Sequence, residues 1–343
     1  MIGAALRTSL VSIVAAGLLH ASAANAADKV RVGSLNNPGD IGFFIADQKG
    51  YFKAEGLDVE IIEFKSAGLM MAPLGTGDLD VAGGALNASL FNAAERQLPL
   101  KIVAGRSRTA PGFNYNILMV RKELADSGKV KSIADLKGLK FAFPAPGTAV
   151  QSQLNEVLKS AGLSIKDVQE TYLAFPQQVP ALLSKAIDGV ILVDPFLSNA
   201  VSTGAATAIT PTEAYYPTAE ISMLFYGERM RKNDGKIGDR YMKAFLRAVR
   251  DYLAATEKGA WKKTPLADEI INIFAKQTGN DPKLVASLSM HPADPNGDLN
   301  LASLRKDLEF FKAQGLVTSN SITVDDIVDL RFAKAAAAEL AGK

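Results

Sequence analysis

The segment Tyr51-Phe52-Lys53-Ala54-Glu55-Gly56-Leu57-Asp58-Val59-Glu60 restricts the possible folds more than any other stretch of this chain. Tyr51 and Phe52 give apolar weight to a last helical turn. Gly56 suits the left-handed position just past a helix end, where a Cβ would crowd the backbone. Leu57, Val59 and Ile61 then alternate with Asp58 and Glu60 at a period of two, which is strand patterning. A strand at 30–35 and a polar loop, Asn36-Asn37-Pro38-Gly39, lie just upstream. Strand, loop, helix and strand in this order begin a ligand-binding α/β lobe.

The alternation continues. A helix is expected at 41–49, a strand at 57–64, a helix near 68–75, a buried strand entering the turn Gly83-Gly84, a helix at 87–96 and a strand at 100–104. Such alternation argues for a mainly parallel sheet with helices on both faces. The plan restarts with strands at 116–121, 140–143, 168–174, 189–193 and 208–210, and helices at 149–161 and 177–185. A strand at 221–226 returns to the first lobe. Helices follow at 239–258, 266–278, 281–288, 299–314 and 324–340. Tyr241, Phe245, Val249 and Tyr252 form one stripe at helical spacing. The expected division is a first, discontinuous lobe of 27–114 and 216–343, with 115–215 inserted as the second.

Length and composition fit two cores. The chain has 343 residues, 48% hydrophobic and 22% charged. Its formal charge of +2, with no lysine or arginine block, argues against nucleic acid as a partner. Arg7, the apolar run 10–19 and Ala24-Asn25-Ala26 read as a cleavable export signal over 1–26, with Ala21-Ser22-Ala23 as a second cleavage site. There is no cysteine, hence no lipid attachment through one and no disulfide. Export without an anchor implies the periplasm. Of the two histidines, only His291 lies beyond the signal, so no histidine cluster for a metal and no cofactor are expected.

Four stretches together resemble periplasmic solute-binding proteins of the nitrate/sulfonate/taurine and thiamine-pyrimidine-precursor type. They are Gly50-Tyr51-Phe52-Lys53-Ala54-Glu55-Gly56-Leu57-Asp58-Val59, Gly77-Asp78-Leu79-Asp80-Val81-Ala82, Ile133-Ala134-Asp135-Leu136-Lys137-Gly138-Leu139-Lys140, and Asp188-Gly189 ahead of Asp194-Pro195-Phe196. The resemblance implies an α/β, two-lobe periplasmic binding protein fold of type II, with a ligand cleft between the lobes and two crossover strands. It also implies a monomer that passes a small-molecule ligand to an ABC permease and, through it, to the ATPase. The rivals are an enzyme like the fungal thiamine-pyrimidine synthase on the same fold, or a sensory binding protein coupled to a receptor. Zero cysteine and the export signal weigh against the enzyme.

Ligands of open α/β sheets sit beyond the carboxyl ends of the strands. That rule selects Asn36, Asn37 and Asp40 after the first strand, and Gly84, Ala85 and Asn87 after the third. In the second lobe it selects Pro144, Gly147, Thr148 and Ala149, then Asp194 and Phe196. Two glycine-bearing turns each open a helix, whose free N–H groups suit an anion or polar group. Either Gly83-Gly84 serves turn geometry, or Gly84 admits a ligand to the backbone. Thr148 either caps its helix or binds. Asp40 either caps the helix at 41–49 or faces the cleft, and Asp194 is a ligand carboxylate or a solvated loop acid. Among Phe43, Phe113, Tyr115, Phe175, Phe196, Tyr215 and Tyr216, the preferred contact is Phe113 with its neighbour Asn114, ahead of the first crossover. Arg106 and Arg108 are rim arginines or anion partners, and His291 belongs to a surface loop. The expected solute is a small organic ion: a sulfonate or taurine-like molecule, a carboxylate, or a pyrimidine-type ring.

Overall fold

The computed structural model describes residues 27–232 and 236–342. The export signal read at 1–26 lies outside the described residues. In chain order, the strands of the two main sheets are β1 (Asp28–Ser34), β2 (Leu57–Glu63), β3 (Val81–Gly84), β4 (Lys101–Arg108), β5 (Ile117–Arg121), β6 (Lys140–Phe143), β7 (Gln169–Tyr172), β8 (Gly189–Leu192), β9 (Ala206–Pro211) and β10 (Glu220–Tyr226). One sheet runs β2-β1-β3-β10-β4 and the other β7-β6-β8-β5-β9. Each has the same plan: parallel neighbours, broken by one antiparallel strand from the connecting segments. β10 is antiparallel to β3 and β4, and β5 is antiparallel to β8 and β9. These are the two crossover strands of a type II binding-protein fold.

The joint at 51–60 forms as its residues dictate. Gly50 and Gly56 both take positive φ, 71° and 70°, bracketing the short helix Tyr51–Ala54. Leu57 is buried at the start of β2, which pairs in parallel with β1 from Asp28↔Leu57 to Ser34↔Glu63. The helix Ile237–Ala255 buries Tyr241, Phe245, Val249 and Tyr252. Phe52 stacks on Tyr241 with ring centroids 4.7 Å apart, and Phe43 meets Phe245 at 5.6 Å. Burying each such ring contributes about 1.5–3 kcal/mol, so this stripe anchors the helix to the first sheet.

Three local expectations change. The segment at 324–340 is helical only over Arg331–Ala341. Ahead of it, Val328 bridges Ile102 in parallel and the Ile102 N–H donates to Ile327 O. This covers the edge of β4, whose backbone would otherwise be open to pairing. The Phe196–Ser202 helix occupies what reads as loop after β8. The expected surface histidine is buried: His291 is 3% exposed. Its Nε2 lies 3.1 Å from Pro38 O and its Nδ1 3.3 Å from Pro292 O, and its ring meets those of Tyr115 and Tyr252. Burial pushes its pKa down to about 4, so it is neutral at pH 7.

Candidate functional site

A cavity of about 430 Å³ opens between the two sheets, within the size range of small-molecule sites. Its walls are strand tips. The carboxyl ends of β1, β3 and β4 supply Asn36, Gly84 and Ser107; those of β6 and β8 lead into Thr148 and Phe196. The antiparallel strands contribute their opposite ends, through Asn116 before β5 and Ile221 and Ser222 at the start of β10. Most of the residues chosen by the rule of strand ends border this cavity. Asn36, Asn37, Asp40, Gly84, Ala85, Asn87, Pro144, Thr148, Ala149 and Phe196 all line it.

Phe113, Asn114, Gly147 and Asp194 do not line it. Phe113 and Asn114 belong to a turn held elsewhere: Glu213 accepts from the N–H groups of Gly112 and Asn114. The aromatic residues that do reach the cavity include Tyr115, Phe175 and Phe196, and the last two stack at 5.8 Å with 13° between their planes. Asp194 is neither solvated nor free for a ligand. Its Oδ1 accepts from Ser198 N and Oγ, at 3.0 and 2.6 Å, tying down the first turn of the Phe196–Ser202 helix. Its Oδ2 accepts from Ser289 N at 2.7 Å.

Gly147 has a different task. Ala88 N donates to Gly147 O at 2.8 Å, Ala149 N donates to Leu86 O at 3.1 Å, and Asn87 and Thr148 form an antiparallel bridge. The loops after β3 and β6 thus join across the cavity. A Cβ on Gly147, whose φ is +66°, would sit 2.6 Å from Ala88 Cβ. The first N–H of each helix is spent on this bridge. Two more donors at these termini are used locally, since Thr148 N donates to Gln151 Oε1 and Leu90 N to Asn87 Oδ1. The helix N-termini offer an anion less than their sequences suggest.

Asp40 makes no side-chain cap to the helix Ile41–Gln48, although its Oδ2 accepts from Asn37 N in the capping box of the short turn Pro38–Asp40. Its Oδ2 accepts from Ser34 Oγ and Leu35 N, each at 2.8 Å, and its Oδ1 pairs with the buried Arg106 guanidinium. Arg106 also donates to Gly39 O and, at 3.1 Å, to Ser222 Oγ, and lies 4.5 Å over the Phe43 ring. It is an internal ion-paired strut, not a rim arginine. Gly83 makes room for it, because a Cβ there would fall 2.0 Å from Arg106 Nη1. Gly84 serves packing against Ala67 in the same way. Arg108 pairs with Asp294 and stays off the cavity lining.

Sequence reasoning passed over Ser66, Ser89, Ser107, Asn116, Gln153 and Ser222, which also line the cavity. Applying the strand-end rule to β2 and β4 finds Ser66 and Ser107. Four buried atoms of lining residues, Arg106 Nε, Ser107 Oγ, Asn116 Oδ1 and Thr148 Oγ1, have no hydrogen-bond partner among the described residues. Buried polar atoms are normally satisfied, so these four stand out on the lining.

Comparison with known proteins fits this geometry. A "Putative ABC transporter periplasmic binding protein" of Brachyspira hyodysenteriae is 29% identical over 289 residues, 79% of this chain and 78% of its own. The MOPS-bound alkanesulfonate-binding protein SsuA of Xanthomonas axonopodis pv. citri superimposes with a TM-score of 0.68 at 20% identity, covering 89% of this chain and 100% of that one. The periplasmic nitrate-binding protein NrtA of Synechocystis PCC 6803 gives 0.71 at 14%, covering 92% and 89%. The fold also supports chemistry: the desulfurization enzyme DszB gives 0.62 at 14%, covering 91% and 99%. The family model described as NMT1/THI5 like matches residues 37–259, well over half of the sequence, and the chain belongs to that family.

Proposed function

We propose that this protein is the solute-capturing component of an ABC importer in the periplasm. The observation that carries this is the single cavity wall assembled from strand tips of two sheets and crossed by the Leu86–Ala88/Gly147–Ala149 backbone bridge. The lobes are 27–114 with 216–343, and 115–215. They close about the crossover segments, a hinge motion. The closed form delivers the solute to the permease, and through it to the ATPase, from a monomer exported by cleavage after Ala26. The names of the relatives support transport, and the lining supports capture without bond-making: His291 lies outside it, held between two backbone carbonyls. Among the described residues no three histidine, cysteine or acidic side chains gather to hold a metal. Small-angle scattering of the mature protein during a metabolite screen tests the role. A solute that raises Tm is expected to lower the radius of gyration. Stabilisation without compaction, or chemical turnover of the solute, refutes it.

A further inference from the structure

We propose that Asp307 is a proton-set latch across the hinge. With its proton it holds the helix Leu301–Ala313 of the first lobe against the helix Ala149–Lys159 of the second; without it the lobes are released to part. This goes beyond solute capture but rests on the two hinged lobes proposed above. The contact geometry is the first ground. Asp307 Oδ1 accepts from Ser152 Oγ at 2.6 Å, and the two side chains come from different lobes. Tyr216, in the segment joining β9 to β10, brings its hydroxyl to 3.2 Å from the same oxygen and 3.0 Å from Ser303 O. Both crossings meet here, because Thr109 Oγ1, just past β4, donates to Tyr216 O at 2.7 Å. Asp307 and Ser152 are 1% exposed, Tyr216 is also buried, and Leu304 and Leu308 share a hydrophobic core with Leu154 and Val157 around them.

The second ground is Asp307 Oδ2, which is buried and has no hydrogen-bond partner among the described residues. An ionised Asp307 would place a buried charge on a carboxylate with one oxygen unmet, the costly case. A neutral acid keeps the Ser152 contact and carries no charge.

The charged neighbours leave the switching to Asp307. Lys306, next on the same helix, pairs with Glu156 of the facing helix and lies 4.3 Å from the Tyr216 ring centroid. Burial opposes the charge on Glu156, but Lys159 and Lys306 hold its pKa below the ordinary carboxylate range. Glu220 also feels Asp307, yet it accepts from Asn300 N at 2.7 Å and faces Arg108 and Asp294, all within the first lobe. Burial keeps the Tyr216 hydroxyl protonated, well above its ordinary pKa. Burial likewise pushes Asp307 up to about 7, against the pull of Ser152, Tyr216 and Lys306. Parting the lobes gives Asp307 to water, where a carboxyl titrates near about 4. The joined form therefore holds the proton more tightly. Its advantage is full below about pH 4, fades as pH rises and levels off above about 7. Each pH unit in that window shifts the parted-to-joined ratio by up to about tenfold.

Double electron–electron resonance on the free protein tests the latch. The chain has no cysteine of its own, so Leu69→Cys and Leu183→Cys, both at exposed positions, put one spin label on each lobe. Leu69 follows Gly68, and Leu183 ends the helix that starts at Phe175; Gly68 and Phe175 line the cavity, so the labels separate as it opens. As pH rises from about 4 to about 7, the labelled protein is expected to shift from a shorter to a longer interlobe distance. Asp307→Asn, which cannot ionise, is expected to keep the shorter distance throughout. Ser152→Ala removes the second lobe's half of the contact and is expected to populate the longer distance already at the acid end. Glu220→Gln is expected to keep the shift. A labelled protein whose distance ignores pH, or an Asp307→Asn variant that tracks it, overturns the latch. Either result leaves solute capture standing, because compaction by a solute decides that role. If Asp307→Asn does not fold, titration of the carboxyl carbon by NMR in the unsubstituted chain decides: an Asp307 that titrates near about 4 overturns the latch, and one near about 7 supports it.

Discussion

Replacing Gly147 by alanine separates folding from closure. The substitution has two consequences with different origins. Gly147 has φ +66°, and a left-handed backbone costs a residue with a Cβ about 1–2 kcal/mol. That cost follows the loop wherever it goes. The second consequence depends on the lobes being together: the new Cβ would stand 2.6 Å from Ala88 Cβ, with the Ala88 N 3.4 Å away. Overpacking of this kind costs about 1–3 kcal/mol. If the bridge forms on closure, the clash burdens the closed state alone, and solute affinity falls about 5- to 150-fold. Gly138→Ala is the control. Its φ of +78° imposes the same backbone cost, but nothing lies within 4 Å of the added carbon. Urea denaturation of the free proteins should show both variants destabilised to a similar degree. Calorimetry with a solute found in the screen should then show weakened binding for Gly147→Ala and unchanged binding for Gly138→Ala. Equal affinity in the two variants would refute the reasoning, because it would mean the bridge is not coupled to the bound state.

Three further outcomes follow from the site and its supports. Thr148→Val removes a hydroxyl with no hydrogen-bond partner among the described residues, so the Tm of the free chain should hold while solute affinity drops about three- to tenfold, measured by calorimetry. Arg106→Met leaves Asp40 buried without its cation and should cost about 3–5 kcal/mol in urea denaturation. The pH profile of stability carries two opposed slopes. His291 has a folded pKa of about 4 against an ordinary 6.5, so the unfolded chain takes up a proton first. Its contribution is present above pH 6.5 and fades toward pH 4, on the order of 3 kcal/mol in all. Burial holds Asp307 up at about 7, so the folded state keeps its proton longer, and stability declines as pH rises from 4 to 7. Glu220, likewise held up at about 7 by burial, adds to that decline, so Asp307→Asn should lessen it and Asp307→Asn with Glu220→Gln should remove it, as urea midpoints from pH 4 to 8 would show. A profile unchanged by the substitution would deny Asp307 this role.

Patterning made the architecture legible because it is short-range. Gly56, the alternation in β2 and the Tyr241-to-Tyr252 stripe each declare themselves within a few residues, and so did the strand ends around the cavity. The roles of buried polar residues were not legible, because each depends on a partner far along the chain. Arg106 and Asp40 are 66 positions apart, Asp194 and Ser289 are 95 apart, and His291 and Pro38 are 253 apart. Local context offered a cap on the helix at 41–49 for Asp40, a loop for Asp194 and a surface for His291; the tertiary partners displaced all three. One local sign did exist for Arg106. Every residue of β4 from Ile102 to Ser107 is buried, and Arg106 lies among them two positions after Ala104. An arginine in that register must enter the interior, where it needs a carboxylate and a nearby glycine to make room. Asp40 and Gly83 meet those two needs: the carboxylate pairs with the guanidinium, and the missing Cβ leaves the space it fills.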